Sequence, residues 1–262
     1  MSEPLALYTF QPPAAVITLN RPERRNAFSR GLIAALIEAF QRARDDVAAR
    51  CVIVTGAGTA FCAGMDLAEL TESLKNQGEA NKVWDDALQL ASLYDLIYTL
   101  PKPTIAAVNG AAVAGGAGLV TVCDLAVAVP EAKFGYPEVR RGLVAAMVMP
   151  HLLRHVGERL ARYLLLTGEL IDAEEAAEHG LINAVVPSRD QLMDRALEWA
   201  KALAEGGPQA LQATKALLHQ FSNQAVSVAE AAKASAAPRL SEEAKQGLAA
   251  FFAKKPVPWV KG

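Results

Sequence analysis

Apolar positions along the first 130 residues switch between two periods. AAVITL at 14–19, CVIVTG at 51–56, TIAAVNG at 104–110 and LAVAV at 125–129 are short unbroken apolar runs, the pattern of buried strands. Between them the spacing turns helical. Leu32, Ile33, Leu36, Ile37 and Phe40 follow Ser29, a good N-cap. Val83, Ala87, Leu90, Tyr94 and Ile97 mark one stripe of a long helix over 79–100, which Pro101 and Pro103 stop. After CVIVTG comes a Gly turn, then AGTAFCAG, read as a loop, then a helix expected to start at Asp66. The small-residue run AAVAGGAG leads into a helix through Leu119 and Val122. Strands alternating with helices predict an α/β architecture. The stretches 51–75 and 104–123 repeat strand, Gly turn and helix, in a register too loose for a sequence repeat.

The pattern changes near residue 188. Four helical segments follow with no strand between them: 188–205, 208–221, 223–236 and 240–254. The expected organisation is an α/β core over 1–200 and a helical region over 201–262. The tail is rich in Ala with wide apolar stripes, so it must pack on something, and another subunit is the natural candidate. Just ahead of it, Asp172 and Glu175 read as a capping pair at a helix start, and Gly180 as the cap that ends that helix.

Composition narrows the function classes. With 262 residues, 52% hydrophobic and 21% charged, the chain suits one large domain, or one core with an appendage, and not disorder. A net charge of −2 leaves no basic surplus for a nucleic-acid backbone. Three separated cysteines (Cys51, Cys62, Cys123) form no paired framework, which suits a reducing compartment. MSEPLALYTF lacks the pattern of a signal peptide, and no run approaches the ~18 apolar residues of a membrane span. The expectation is a soluble cytoplasmic protein with no membrane or nucleic-acid partner.

Candidate chemistry lies in two glycine-rich segments, FCAGMD and AGGAG. Each follows a buried strand and opens a helix. Helix starts expose backbone N–H groups, and two of them converging on one oxygen stabilise an oxyanion or enolate. Small residues let a substrate approach that backbone closely. Two merely tight turns would leave the same signature.

The longer runs carry a resemblance. TGAGTAFCAGMDLAEL, KPTIAAVNGAAVAGGAGLVTVCDLAVA and AKFGYPEVRRGL, with RPERRNAFS before them and LLLTGELIDAEEAAEHGLINAVVP after, are similar to the crotonase, or enoyl-CoA hydratase/isomerase, family over nearly the whole chain. The resemblance implies a crotonase-like spiral of β-β-α units with a C-terminal α-helical trimerisation region. It implies an acyl-CoA thioester substrate, a homotrimer or dimer of trimers, and no cofactor beyond the coenzyme A of the substrate. By position, the oxyanion donors become the N–H groups of Met65 and Gly115.

The family's hydratases use two glutamates. One is matched by Glu138, in FGYPE; the other falls on Gly118, where no carboxylate exists. Shifting a double bond from C3 to C2 needs one base, whereas hydration divides its work between two carboxylates. The resemblance therefore points first to 3-enoyl-CoA to 2-enoyl-CoA isomerisation with Glu138 as base. A single-glutamate hydratase, other enolate chemistry and a non-catalytic acyl-CoA-binding member are the alternatives. Ala146 stands where the dienoyl-CoA isomerases carry a further acid, which argues against that branch.

For the rest of the substrate, Arg25 matches the position that meets the coenzyme's phosphates, a role a guanidinium suits. Backbone at Ala27, Ala63, Asp66 and Leu67 is expected to line the adenine and pantetheine channel, with Pro137, Leu143, Phe251 and Lys254 as further contacts. Lys254 and Lys255, after Phe251 and Phe252, are candidates to reach a phosphate in a neighbouring subunit, for which a solvated charge pair at a helix end is the plainer role. Trp84, Leu88, Leu143, Met147 and Met149 are acyl-pocket candidates for which core packing is the plainer role.

Three decoys are set aside. VTGAG at 54–58 suggests a dinucleotide turn, but Ala60 and Cys62 stand where the pattern needs Gly, and Pro101 interrupts the Tyr98/Lys102 pair. His151 and His155 have metal-pair spacing without an evident third ligand. GxSxG is absent.

Overall fold

The four apolar runs become the centre of a six-stranded sheet in the computed structural model, which describes residues 3–75, 80–222 and 227–256. Residue 79 and residues 223–226, the starts of two expected helices, lie outside the described residues. In chain order the first half contains β1 (Ala6–Gln11), β2 (Ala14–Leu19), α1 (Arg30–Asp45), β3 (Cys51–Gly56), β4 (Ala60–Cys62), α2 (Leu67–Lys75), α3 (Ala80–Tyr98), β5 (Thr104–Val108), β6 (Ala111–Val113), α4 (Gly115–Thr121) and β7 (Leu125–Ala128). The second half contains β8 (Lys133–Gly135), α5 (Met149–Thr167), β9 (Leu170–Asp172), α6 (Ala173–Glu178), β10 (Ala184–Val185), α7 (Leu192–Glu205), α8 (Pro208–Ser222), α9 (Val228–Arg239) and α10 (Glu242–Phe252).

The large sheet runs β1-β2-β3-β5-β7-β10 and is parallel from β2 onward, with β1 antiparallel to β2. Its central strands β3 and β5 are buried on both faces, which is why they read as unbroken apolar runs. A second sheet runs β4-β6-β8-β9. Its presence corrects the reading of AGTAFCAG as a loop, since Ala60–Cys62 is a strand paired with β6. The two similar stretches are thus strand–strand–helix units, β3-β4-α2 and β5-β6-α4, each placing one strand in each sheet.

The helix starts obey their capping residues. Ser29 Oγ accepts from the Leu32 N–H at 3.1 Å, and the Asp172 carboxylate accepts from the Glu175 N–H at 2.9 Å. Gly180, at φ +76°, follows the end of α6. In the tail, α7 packs on β3, β5 and β7, while α9 lies along α3. Helix α10 rests on the 3₁₀ turn Pro137–Arg141. Its Gly247 makes that contact possible, because a Cβ there would stand 2.5 Å from the Arg141 carbonyl oxygen. Within the chain α9 thus covers α3, and α10 covers the 3₁₀ turn and α2.

Candidate active site

A cavity of about 350 Å³ opens where the two glycine-rich turns meet the 3₁₀ turn. The first turn is held from below by the RPERRNAF segment. Buried Asn26 donates from Nδ2 to the carbonyls of Ala57 (2.9 Å) and Ala60 (2.8 Å) and accepts the Arg21 N–H at 2.9 Å. The Arg25 carbonyl accepts from the Ala63 N–H at 3.0 Å. Phe28 then brackets Met65: its N–H donates to Gly64 O at 2.7 Å, and its carbonyl accepts from the Asp66 N–H at 2.9 Å. In such a ladder the residue between turns its own N–H the other way. Asp66 caps α2, accepting from Ala68 N–H at 3.1 Å, and pairs with Arg21 at 3.1 Å.

The second turn is strained. Ala114 has φ +55° and ψ −126°, a conformation costing on the order of 1–3 kcal/mol, and Gly115 follows it as the first residue of α4. The two turns interlock. A Cβ at Gly64 would lie 2.8 Å from Ala114 Cβ and 3.1 Å from the Gly115 nitrogen, and one at Gly116 would lie 2.1 Å from the Cys62 carbonyl oxygen. Only glycine permits that approach. Among the described residues neither the Met65 N–H nor the Gly115 N–H has a hydrogen-bond acceptor, and both residues line the cavity.

Glu138 sits in the 3₁₀ turn, which Pro137 starts and Gly142 (φ +69°) ends. It lines the cavity, and its Oε2 is shielded from solvent with no hydrogen-bond partner among the described residues. Burial pushes its pKa up from 4.5 to about 7, and the charges of Arg141 and Arg239 offset only part of that rise. Of the other cavity acids, Asp66 is tied to Arg21, and Glu23 is solvent-exposed. A side chain at position 118 would displace its neighbours: a Cβ there would stand 2.3 Å from Val148 Cγ1 and 2.9 Å from the Tyr94 hydroxyl. Ala146 is not part of the lining.

The cavity gathers most of the residues singled out in the sequence. Arg25, Ala27, Ala63, Asp66 and Leu67 line one side; Pro137, Leu143, Met147 and Phe251 line the rest. Lys254, Lys255, Trp84, Leu88 and Met149 are not among the lining residues. Sequence reasoning missed Leu90, Tyr94, Arg141, Val148 and Arg239, all of which line it. Tyr94 left a faint signal as the one hydroxyl on the apolar stripe of α3. Arg239 left none, since it arrives from the distant α9.

The decoys resolve structurally. His155 Nε2 bonds the Thr121 carbonyl at 2.9 Å. His151 is half-buried, and desolvation of its ring pulls its pKa down to about 3. No group of three metal-binding side chains occurs among the described residues. Lys102 Nζ donates to the carbonyls of Ala43 and Asp46.

Comparison with known proteins gives the family and the fold. The family model described as Enoyl-CoA hydratase/isomerase matches residues 10–262. A Thermus thermophilus relative that bears an enoyl-CoA hydratase name is 45% identical over 248 residues, covering 92% of this chain and 95% of the relative. The 2,3-dehydroadipyl-CoA hydratase of Escherichia coli is 35% identical over 243 residues, covering 92% of each chain. The crystal structure of an enoyl-CoA hydratase from Mycobacterium avium superposes with a TM-score of 0.83 at 33% identity, covering 99% of this chain and 100% of that one.

Proposed function

Because the chain belongs to the enoyl-CoA hydratase/isomerase family, we propose that it converts 3-enoyl-CoA thioesters to 2-enoyl-CoA with Glu138 as the single base. The observation that carries the reading is Glu138 itself: a shielded carboxylate titrating near 7, with glycine at position 118 and the space beside it taken by Val148 and Tyr94. Glu138 removes a proton from C2. The electron pair delocalises onto the thioester oxygen, where the Met65 and Gly115 N–H groups hold the charge. The proton on Glu138 then returns to C4, and the double bond comes to rest between C2 and C3. A base titrating near neutrality takes and returns a proton with little penalty in either direction. So written, the reaction needs no cofactor.

Arg25 is assigned to the coenzyme's phosphates at the cavity mouth, with the backbone of Ala27, Ala63, Asp66 and Leu67 along the pantetheine arm. Pro137, Leu143 and Phe251 take the acyl side. Lys254, outside the cavity of its own chain, is kept for a phosphate held by a neighbouring subunit. Exposed Leu166, Leu217 and Leu218 support a trimer or a pair of trimers, to be checked as a mass of three or six 27.8 kDa chains by light scattering. A monomer would remove that assignment for Lys254. No helix among the described residues is long and apolar enough to cross a membrane. That and the unpaired buried cysteines support placement in the cytoplasm, which fractionation of expressing cells would check. Recovery in a membrane or secreted fraction would overturn it.

Hydration is the second reading, favoured by the hydratase names of the relatives. Supplying 3-enoyl-CoA and 2-enoyl-CoA separately distinguishes the two. Isomerisation moves the bond without adding water; rapid 3-hydroxyacyl-CoA from the 2-enoyl substrate establishes hydration instead. Glu138→Gln abolishes either activity, and an unimpaired variant would remove Glu138 from the mechanism.

A further inference from the structure

Helix α3 presents Leu90 and, one turn on, Tyr94 to the cavity. Tyr94 is 2% exposed, and its O–H donates to the Gly115 carbonyl at 2.6 Å. The same oxygen lies 2.9 Å from where a Cβ at Gly118 would stand and 3.0 Å from one at Gly115. The phenol thus fills, together with Val148, the room that a side chain at 118 would need. Burial above all keeps the hydroxyl protonated, its pKa raised well above the ordinary value, so it remains a donor.

The bond falls at a sensitive place. Gly115 follows the strained Ala114, and a strained residue persists only where its surroundings over-determine it. Fixing the Gly115 carbonyl fixes the Gly115–Gly116 peptide, and through the shared Gly115 Cα it restrains the neighbouring peptide that carries the Gly115 N–H. Glycine, without a side chain, would otherwise adopt other orientations at little cost.

We propose that Tyr94 is a positioning residue for the oxyanion turn, its hydroxyl occupying the space beside Gly118 and holding the Gly115–Gly116 peptide, so that the Gly115 Cα and the N–H on its other side stay aimed at the thioester oxygen. This rests on the enolate reading above and is independent of what then happens to the double bond.

Tyr94→Phe keeps the ring and removes only the donor. The test follows exchange of the C2 protons of butanoyl-CoA with heavy water, normalised to folded protein, alongside binding of the same thioester. A saturated acyl chain has no double bond to move or hydrate, so exchange reports the enolate alone. The expected result is exchange slowed roughly tenfold, the equivalent of one hydrogen bond lost in the transition state, with binding unchanged. Exchange at the unsubstituted rate overturns the proposal, and so does an equal loss in exchange and in binding, which would mean general damage to the pocket. No exchange by the unsubstituted protein overturns the enolate reading and the lock with it. Exchange by an enzyme that proves to hydrate removes only the isomerase assignment.

Discussion

At the residue scale the account turns on Glu138. Its carboxyl titrates near 7 in the fold against an ordinary 4.5, because burial penalises the charged form. A base must be ionised to act, so kcat/KM should rise with pH and reach half its plateau near pH 7; a plateau persisting down to pH 5 would contradict the assignment. Stability carries the opposite sign. Between about pH 4.5 and 7 the folded chain binds the extra proton, so folding loses stability as pH rises through that window. Glu138→Gln, neutral throughout, should therefore be more stable than the unsubstituted chain above pH 7, by on the order of 2–3 kcal/mol, and nearly equal to it at pH 4. Denaturant unfolding at the two pH values checks this, and equal stability at pH 8 would count against a buried carboxylate. None of this titration behaviour was legible in the sequence. FGYPE marked the residue, but the burial that raises its pKa and the Arg239 charge that offsets part of the rise exist only after folding.

At the element scale, legibility followed length and burial. Strands β2, β3, β5 and β7 and helices α1 and α3 have four residues or more with a clear period, and the sequence placed each of them. β4, β6, β8 and β9 have three residues and β10 has two, too few for alternation to register. β1 is longer, but its half-exposed edge position gives no apolar run. The second sheet, which sets the two glycine-rich turns side by side, was therefore invisible in the apolar pattern and was implied only by the β-β-α units of the resemblance. The seat of α10 was also hidden. Gly247 reads as an ordinary helical glycine, yet it lets α10 touch the turn that carries Glu138. Gly247→Val should cost about 1–3 kcal/mol of stability through overpacking and lower kcat as the 3₁₀ turn shifts. Thermal unfolding and initial rates test it, and a variant with unchanged stability and rate would mean α10 does not seat the turn.

At the scale of the whole molecule, the family and its acyl-CoA chemistry were readable from motifs that stay contiguous in the chain, and the family model over residues 10–262 agrees. Features built from distant segments were not. Tyr94, Val148 and Arg239 come from α3, the approach to α5, and α9, and only the folded chain brings them to one cavity. The sequence showed that a carboxylate is missing at Gly118; the structure adds that the room for it is already taken. One base with no second acid makes a demand that can be followed atom by atom. The most direct measurement uses 3-enoyl-CoA carrying deuterium at C2 and locates the label in the product. Glu138 acting alone predicts 2-enoyl-CoA with part of the deuterium carried to C4. A product bearing a hydroxyl at C3, with no deuterium at C4, would contradict the account.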